Sequence, residues 1–232
     1  MAFLAALRFL TTIPLPGQRR IKPELFGRSI IFFPVFGLII GLILVGLNWL
    51  MLIFLPPSLV DMLLVVALAG LGGVLHLGDF IKTGNSIAGG AGTIGVCLLL
   101  LVKFVALNNI PGHWIAETLV LTMVISRWAM SYVVVTFPSA PSSARGRAFR
   151  QEAKWWRLLI ATLITLLVVM ILLQLTGLII MLIIWAGVLV MAAYLKAKFG
   201  GLTAESYGAL NEVAEVCLLV LFCLLTHIRW LA

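Results

Sequence analysis

Residues 200–228 read GGLTAESYGALNEVAEVCLLVLFCLLTHI, and this order of polar and apolar residues decides the fold. A glycine pair, a Thr-Ala-Glu triplet and Asn211-Glu212 stand at the mouth of a membrane-length apolar run, residues 212–228. Glu212 and Glu215 are three residues apart, so on a helix they share one face and point the same way. A carboxylate inside such a run costs on the order of 3 kcal/mol on insertion scales and faces a bundle interior or a water-filled cavity. The mouth is therefore read as one wall of a polar site in a membrane protein.

The composition agrees. With 63% hydrophobic and 10% charged residues and a mean hydropathy of +1.21, the chain lies outside the soluble range and reads as polytopic. A net charge of +8 would suggest a nucleic-acid partner in a soluble protein. Here the cations fall in particular loops, as the positive-inside rule expects, and no nucleic acid is expected. Cys97, Cys217 and Cys223 all lie in apolar runs without ligand spacing, so they are read as packing residues.

Working outward, spans are predicted at residues 30–55, 62–77, 94–107, 114–137, 158–173, 178–195 and 212–228. The first carries Pro34 and a GxxxG at Gly37 and Gly41, which lets another helix approach closely, and Pro56-Pro57 closes it. A polar, glycine-rich loop is expected over 78–93, and a basic loop, PSAPSSARGRAFRQEAKWWR, over 138–157. The sixth span joins the fifth at Thr176-Gly177. Residues 1–20 lack an early basic region and carry Arg8 within their short apolar run, so they read as a retained interfacial helix. The expected fold is all-α: a single integral membrane domain over 1–232, a bundle of about seven helices plus that amino-terminal helix.

Loop charge sets the orientation. Arg8, Arg19, Arg20, Lys22, Arg28, Lys82, the cluster from Arg145 to Arg157, Lys196 and Lys198 fall on one side, and Arg229 on the other. This asymmetry predicts a cytoplasmic amino terminus for a multi-pass protein of the cell inner membrane. It also gathers the 78–93 loop, the basic loop and residues 200–211 on one side.

His76, Asp79 and Asn85 offer ligands for a divalent metal, and the amides of Gly84, Gly89, Gly90, Gly92 and Gly95 could approach a phosphate. The alternative is a flexible interhelical loop whose histidine caps a helix; GxxxxGK[ST] and GxGxxG are both absent. Lys103 and Arg127 lie inside apolar runs and need partners, for which Glu212, Glu215 and Glu117 are the candidates. They serve either as structural pairs or as substrate groups. Arg145, Arg147 and Arg150 fit a topology signal, lipid headgroups or an anionic substrate, and Trp155-Trp156 an interfacial anchor.

Several segments together resemble the cobalamin synthase family, membrane enzymes also called adenosylcobinamide-GDP ribazoletransferases. They are LRFLTTIPLP (7–16), FFPVFGLIIG (32–41), Leu75-His76-Leu77, Ser126-Arg127-Trp128 and GGLTAESYGALNEVAEV (200–216), in the same order from end to end. The resemblance implies a Mg²⁺-dependent transfer that joins the phosphate of a GDP-activated corrinoid, adenosylcobinamide-GDP, to α-ribazole or its 5′-phosphate and releases GMP. It implies a catalytic set of Glu205, Asn211, Glu212 and Arg127, substrate contacts from His76, Lys82, Thr83 and Thr203, and metal ligands Asp79, Asn85 and Glu205. Membrane lipid is an expected partner, and a homo-oligomer is left open.

The chain also departs from that pattern. The family loop reads approximately His-Leu-Asp-Gly, two residues, Asp-Thr, one residue, Asp-Gly; this chain reads HLGDFIKTGNSI over 76–87. Gly78 replaces the first Asp with Asp79 displaced by one place, Lys82 replaces the second and Asn85 the third, and AGGAGTIG (88–95) bridges a missing segment. Ala204-Glu205 stands where the closing motif has Gly-Asp. Two other readings follow: an inactive relative that binds a corrinoid precursor or scaffolds an assembly, and a small transporter built on Lys103, Arg127, Glu212 and Glu215. Against transport, the polar stretches gather on one side and no pair of broken helices appears in matching halves.

Overall fold

Proline and glycine punctuation cuts an otherwise apolar chain into helices that lipid obliges to satisfy their own backbones. The computed structural model describes residues 24–228 together with Ala6 and Leu10. The expected interfacial helix at 1–20 lies outside the described residues apart from Ala6 and Leu10, both helical and buried, as do Arg8, Arg19, Arg20, Lys22 and Arg229.

Helix α1 (Glu24–Ser29) runs through a 3₁₀ turn, Ile30–Phe32, into α2 (Phe33–Leu52), which has Pro34 in its first turn where no amide partner is needed. Then follow α3 (Pro57–Ala88), α4 (Gly92–Asn108), a 3₁₀ turn at Gly112–Trp114, α5 (Ile115–Thr136), α6 (Ala144–Gln151), α7 (Trp155–Phe199) and α8 (Ala204–His227). Among the described residues the one β-type pairing is an isolated bridge between Ser139 and Leu202. The all-α membrane bundle read from the sequence is the fold observed.

Helix α5 is the hub: 89% of its span-length window is buried, and α2, α7 and α8 pack around it. The GxxxG is what admits α2. A Cβ on Gly37 would lie 2.9 Å from the Val124 Cα, and one on Gly41 2.7 Å from the Val120 Cα, so backbone meets backbone as the motif predicts. Apolar side chains such as Trp49, Leu101, Leu163, Ile171 and Val190 remain exposed around the outside, the exterior of a membrane bundle.

Among the described residues four helices are long and apolar enough to cross a membrane, or five with the bent α3. The expected seven is reached only by adding the short α4 and counting the two arms of α7 separately. Helix α7 is one 45-residue element interrupted at Gln174, whose φ of 49° and ψ of −130° reverse the chain. Gly177 comes to lie against Val169 and Leu173, so arms 155–173 and 175–199 form a hairpin. The reversal falls just before the expected Thr176-Gly177, because Gly177 is used for close packing of the arms.

Two expected loops are helical. Residues 78–88, read as the start of a polar loop, continue α3, which bends by 85° between Gly72 and Val74. Glycines permit the bend without ending the helix, and beyond it the sequence keeps a helical period. Gly84 lies inside α3, and Gly92 and Gly95 inside α4, so the expected glycine cradle for phosphate is not formed by these five amides. Only Gly89 and Gly90, with φ of 55° and 102°, make the turn. The basic loop folds in part into α6, capped by Ser143, whose hydroxyl accepts from the Gly146 amide.

The polar stretches do meet at one end of the bundle. Ala140 N donates to Leu202 O at 2.9 Å and Leu202 N to Pro138 O at 2.8 Å, tying the α5–α6 link to the start of α8. Lys198 Nζ donates to Ile87 O at 3.0 Å, bringing the ends of α3 and α7 together.

Candidate functional site

The last helix starts earlier than its apolar run. Thr203 caps it: its Oγ1 accepts from the Ser206 amide at 3.2 Å while the Ser206 hydroxyl accepts from the Thr203 amide at 3.3 Å. Glu205 in the first turn complements the helix dipole. From this cap Gly208, Asn211, Glu212 and Glu215 project into the bundle on successive turns, and all are buried.

Four opposite charges meet there. Lys103 of α4 places its Nζ 2.7 Å from Glu212 Oε2 and 2.6 Å from Glu215 Oε2. Arg127 of α5 donates through Nη1 to Glu215 Oε1 at 2.5 Å and to Ser126 Oγ at 2.8 Å, and through Nη2 to the Gly72 carbonyl at 3.3 Å. Asn211 Nδ2 adds a bond to Glu215 Oε1 at 2.9 Å. Two cations and two carboxylates make the cluster neutral, which is what lets charge persist in this environment. Gly72 at the bend of α3 belongs to it, because a Cβ there would stand 2.8 Å from the Arg127 guanidinium.

The two carboxylates are not equivalent. Glu215 is held by Lys103, Arg127 and Asn211, whereas Glu212 is bonded to Lys103 alone among the described residues. His76 of α3 is fully buried. The His76 Nδ1 lies 3.8 Å from Asp79 Oδ2, an ion-pair distance longer than a hydrogen bond. Asp79 packs on the bare backbone of Gly208, where a Cβ would fall 2.7 Å from the Asp79 Cβ. With 18% of its side chain exposed, Asp79 is the open end of a titratable pair whose inner member is the buried His76.

The candidate residues therefore divide. Arg127, Asn211, Glu212, His76 and Asp79 are brought together. Lys82 and Asn85 are exposed while His76 and Thr83 are buried, because three- and four-residue spacings put the latter on the inner face of α3. Asp79 and Asn85, six residues apart, point about 120° from one another around the helix. The Asn85 Oδ1 is also engaged, accepting from the Gly92 amide at 2.8 Å. Thr203 serves as the helix cap, and Glu205 stands part-exposed at the rim. Glu117 was an expected partner for the buried cations and is not one: it sits in the first turn of α5, ten residues and about 15 Å along the helix from Arg127. Its Oε2 is buried without a hydrogen-bond partner. The inner ions bind one another, an anchoring arrangement rather than an open transport path.

Among the described residues no group of three or more His, Cys, Asp or Glu side chains is placed to hold a metal ion. Of the three residues expected as metal ligands, Asp79 and Glu205 keep part-exposed carboxylates, whereas the Asn85 Oδ1 is taken by the Gly92 amide.

The sequence model of the family described as cobalamin-5-phosphate synthase matches residues 2–223. An adenosylcobinamide-GDP ribazoletransferase of Roseiflexus sp. (strain RS-1) is 30% identical over 244 residues, covering 98% of this chain and 91% of its own. The protein of that name from Geotalea daltonii is 30% identical over 238 residues, covering 94% of this chain and 96% of its own. One from Clostridium kluyveri is 26% identical, covering 96% of each. No solved structure matches the chain.

Proposed function

The chain belongs to the cobalamin-5-phosphate synthase family, whose work is a transfer step of cobalamin biosynthesis, and we propose that it performs that step at the mouth of α8. The reaction joins the phosphate of adenosylcobinamide-GDP to a hydroxyl of α-ribazole or its 5′-phosphate. A P–O bond to ribazole forms, the P–O bond to GMP breaks, and the hydroxyl proton must leave. The observation that carries the reading is the part-exposed Asp79, which lies 3.8 Å from buried His76 and packs on Gly208, one helical turn before Glu212 of the neutral cluster.

In this proposal Asp79 meets the substrate and, with His76 beside it, takes up the hydroxyl proton. Arg127, Lys103 and Asn211 act as positioning residues, fixing Glu215 and through it the face of α8. Lys82, exposed on the same arm of α3, attracts the diphosphate, and the buried hydroxyl of Thr83, which has no hydrogen-bond partner among the described residues, is left to bind it. Thr203 sets the start of α8 and so the position of Glu205. Mg²⁺ bound by Asp79 and Glu205 would supply charge neutralisation at the diphosphate and at the departing GMP.

The protein sits in the cell inner membrane with its amino terminus and this end of the bundle in the cytoplasm, where water-soluble nucleotides reach the bilayer edge. A second reading, a relative that binds the corrinoid without turning it over, is favoured by one observation: Asn85 is committed to the Gly92 amide, leaving Asp79 the only carboxylate on that arm of α3. The purified protein in detergent with adenosylcobinamide-GDP, Mg²⁺ and either ribazole form separates the two. The transferase yields GMP and joined corrinoid in equal amounts; saturable substrate binding without GMP selects the second reading.

A further inference from the structure

Outside the buried cluster, α6 has its own concentration of charge. Ser139, Arg147, Arg150 and Gln151 line a cavity of about 300 Å³ at the same end of the bundle. Arg147 and Arg150 are three residues apart on a helix, so both guanidinium groups lie on one face, where like charges repel unless an anion sits between them. Among the described residues no carboxylate is in ion-pair distance of either. The adjacent acid, Glu152, is taken by Arg28 at 3.0 Å and by Arg157 at 3.6 Å.

The cavity is held in place. Arg147 donates one bond to the Pro141 carbonyl, which orients its guanidinium and leaves other N–H groups for a ligand. Ser139 donates to the Gly146 carbonyl at 3.0 Å and so forms wall rather than donor, while the Gln151 amide can donate. Ser143 accepts from both the Gly146 and the Ala204 amides, and Phe149 stacks on Tyr207 with ring centroids 6.2 Å apart, so α6 is clamped to the first turns of α8. Trp155 and Trp156 follow directly and are exposed, marking the headgroup level of a bilayer.

We propose that this cavity is a phosphate-binding subsite, in which Arg147 and Arg150 together hold the phosphate group of a ligand arriving at the membrane surface. Paired guanidinium donors suit phosphate oxygens geometrically as well as by charge. The ligand is either a water-soluble phosphate ester or an anionic lipid headgroup; both present the same group at this depth. The inference does not depend on the transfer reaction, and its test needs no turnover.

The test uses the full-length protein in nanodiscs of phosphatidylcholine alone, titrated with inorganic phosphate and followed by ³¹P line broadening. Wild type binds saturably and less tightly as salt is raised. Arg147→Gln with Arg150→Gln weakens binding at least about tenfold, since charge-assisted bonds are lost. Arg147→Lys with Arg150→Lys keeps the charge and falls between the two, which separates loss of the subsite from loss of the fold. Lys196→Gln with Lys198→Gln leaves binding unchanged. Repeating the titration in phosphatidylglycerol nanodiscs identifies the source: competition by the lipid assigns the subsite to a headgroup, and undiminished phosphate binding assigns it to a soluble ester. Absence of saturable binding by wild type in phosphatidylcholine, or equal affinity in wild type and the double Gln variant, overturns the proposal.

Discussion

Replacing Lys103 by Met removes the cation lying 2.7 Å from Glu212 and 2.6 Å from Glu215 and leaves the buried cluster with one net negative charge. Glu215 keeps Arg127 and Asn211, whereas Glu212 keeps no described hydrogen-bond partner. Breaking a buried pair by removing one member costs about 3–5 kcal/mol, and that loss is expected in denaturant unfolding of the detergent-solubilised protein. A second change decides whether direct ion pairing is the cause. Lys103→Met with Glu212→Gln leaves Arg127 and Glu215 as a matched pair and should recover at least about 2 kcal/mol, whereas Lys103→Met with Glu215→Gln leaves neither Glu212 nor Arg127 an ion-pair partner and should recover nothing. A cost below about 1 kcal/mol for Lys103→Met, or equal recovery by the two double variants, would refute the reasoning.

Gly208→Ala sets a Cβ against Asp79 and should cost about 1–3 kcal/mol by overpacking; Asp79→Ala in the same chain should return part of it, measured by unfolding. At the α2–α5 crossing Gly41→Ala should cost a similar amount, while Gly46→Ala, with open space around it, should be neutral or gain up to about 1 kcal/mol of helix propensity. The hydrogen bond from Arg28 holds the Glu152 carboxyl below its ordinary range, so the tie it gives between α1 and α6 is present above that range and lost as pH falls through the lowered value. Protease sensitivity of α6 should therefore differ between wild type and Arg28→Gln at neutral pH and converge in acid. Asp79→Asn should raise the Mg²⁺ concentration for half-maximal turnover by about tenfold, checked by titrating Mg²⁺ against GMP release.

The buried cluster was legible because lipid leaves no other home for charge: Lys103, Arg127, Glu212 and Glu215 inside apolar runs had to pair. Which acids they chose was less so. Glu117 fails on helix length alone, a constraint available from its distance to Arg127 along one helix. The α3 polar arm was misread because polarity and glycine were taken for a loop, although His76 and Thr83 keep a helical period that Lys82 and Asn85 do not share. Gly208 and Gly72 were passed over as site residues; their one signal was glycine inside a helix, which marks a close approach without saying what approaches. The break over residues 174–177 was legible as a polar gap between two apolar runs, but not that Gln174 carries it, since the positive φ falls on a residue type that does not favour it.

In the proposed site the exposed edge of Asp79, backed by buried His76, faces the reaction. Initial rates of GMP release from adenosylcobinamide-GDP and α-ribazole, compared for wild type, Asp79→Asn and Glu152→Gln at matched stability, test it most directly. The account predicts turnover by wild type and Glu152→Gln and a loss of at least about tenfold in Asp79→Asn. Equal rates in the two variants, or no GMP from well-folded wild type with either ribazole form, would contradict it.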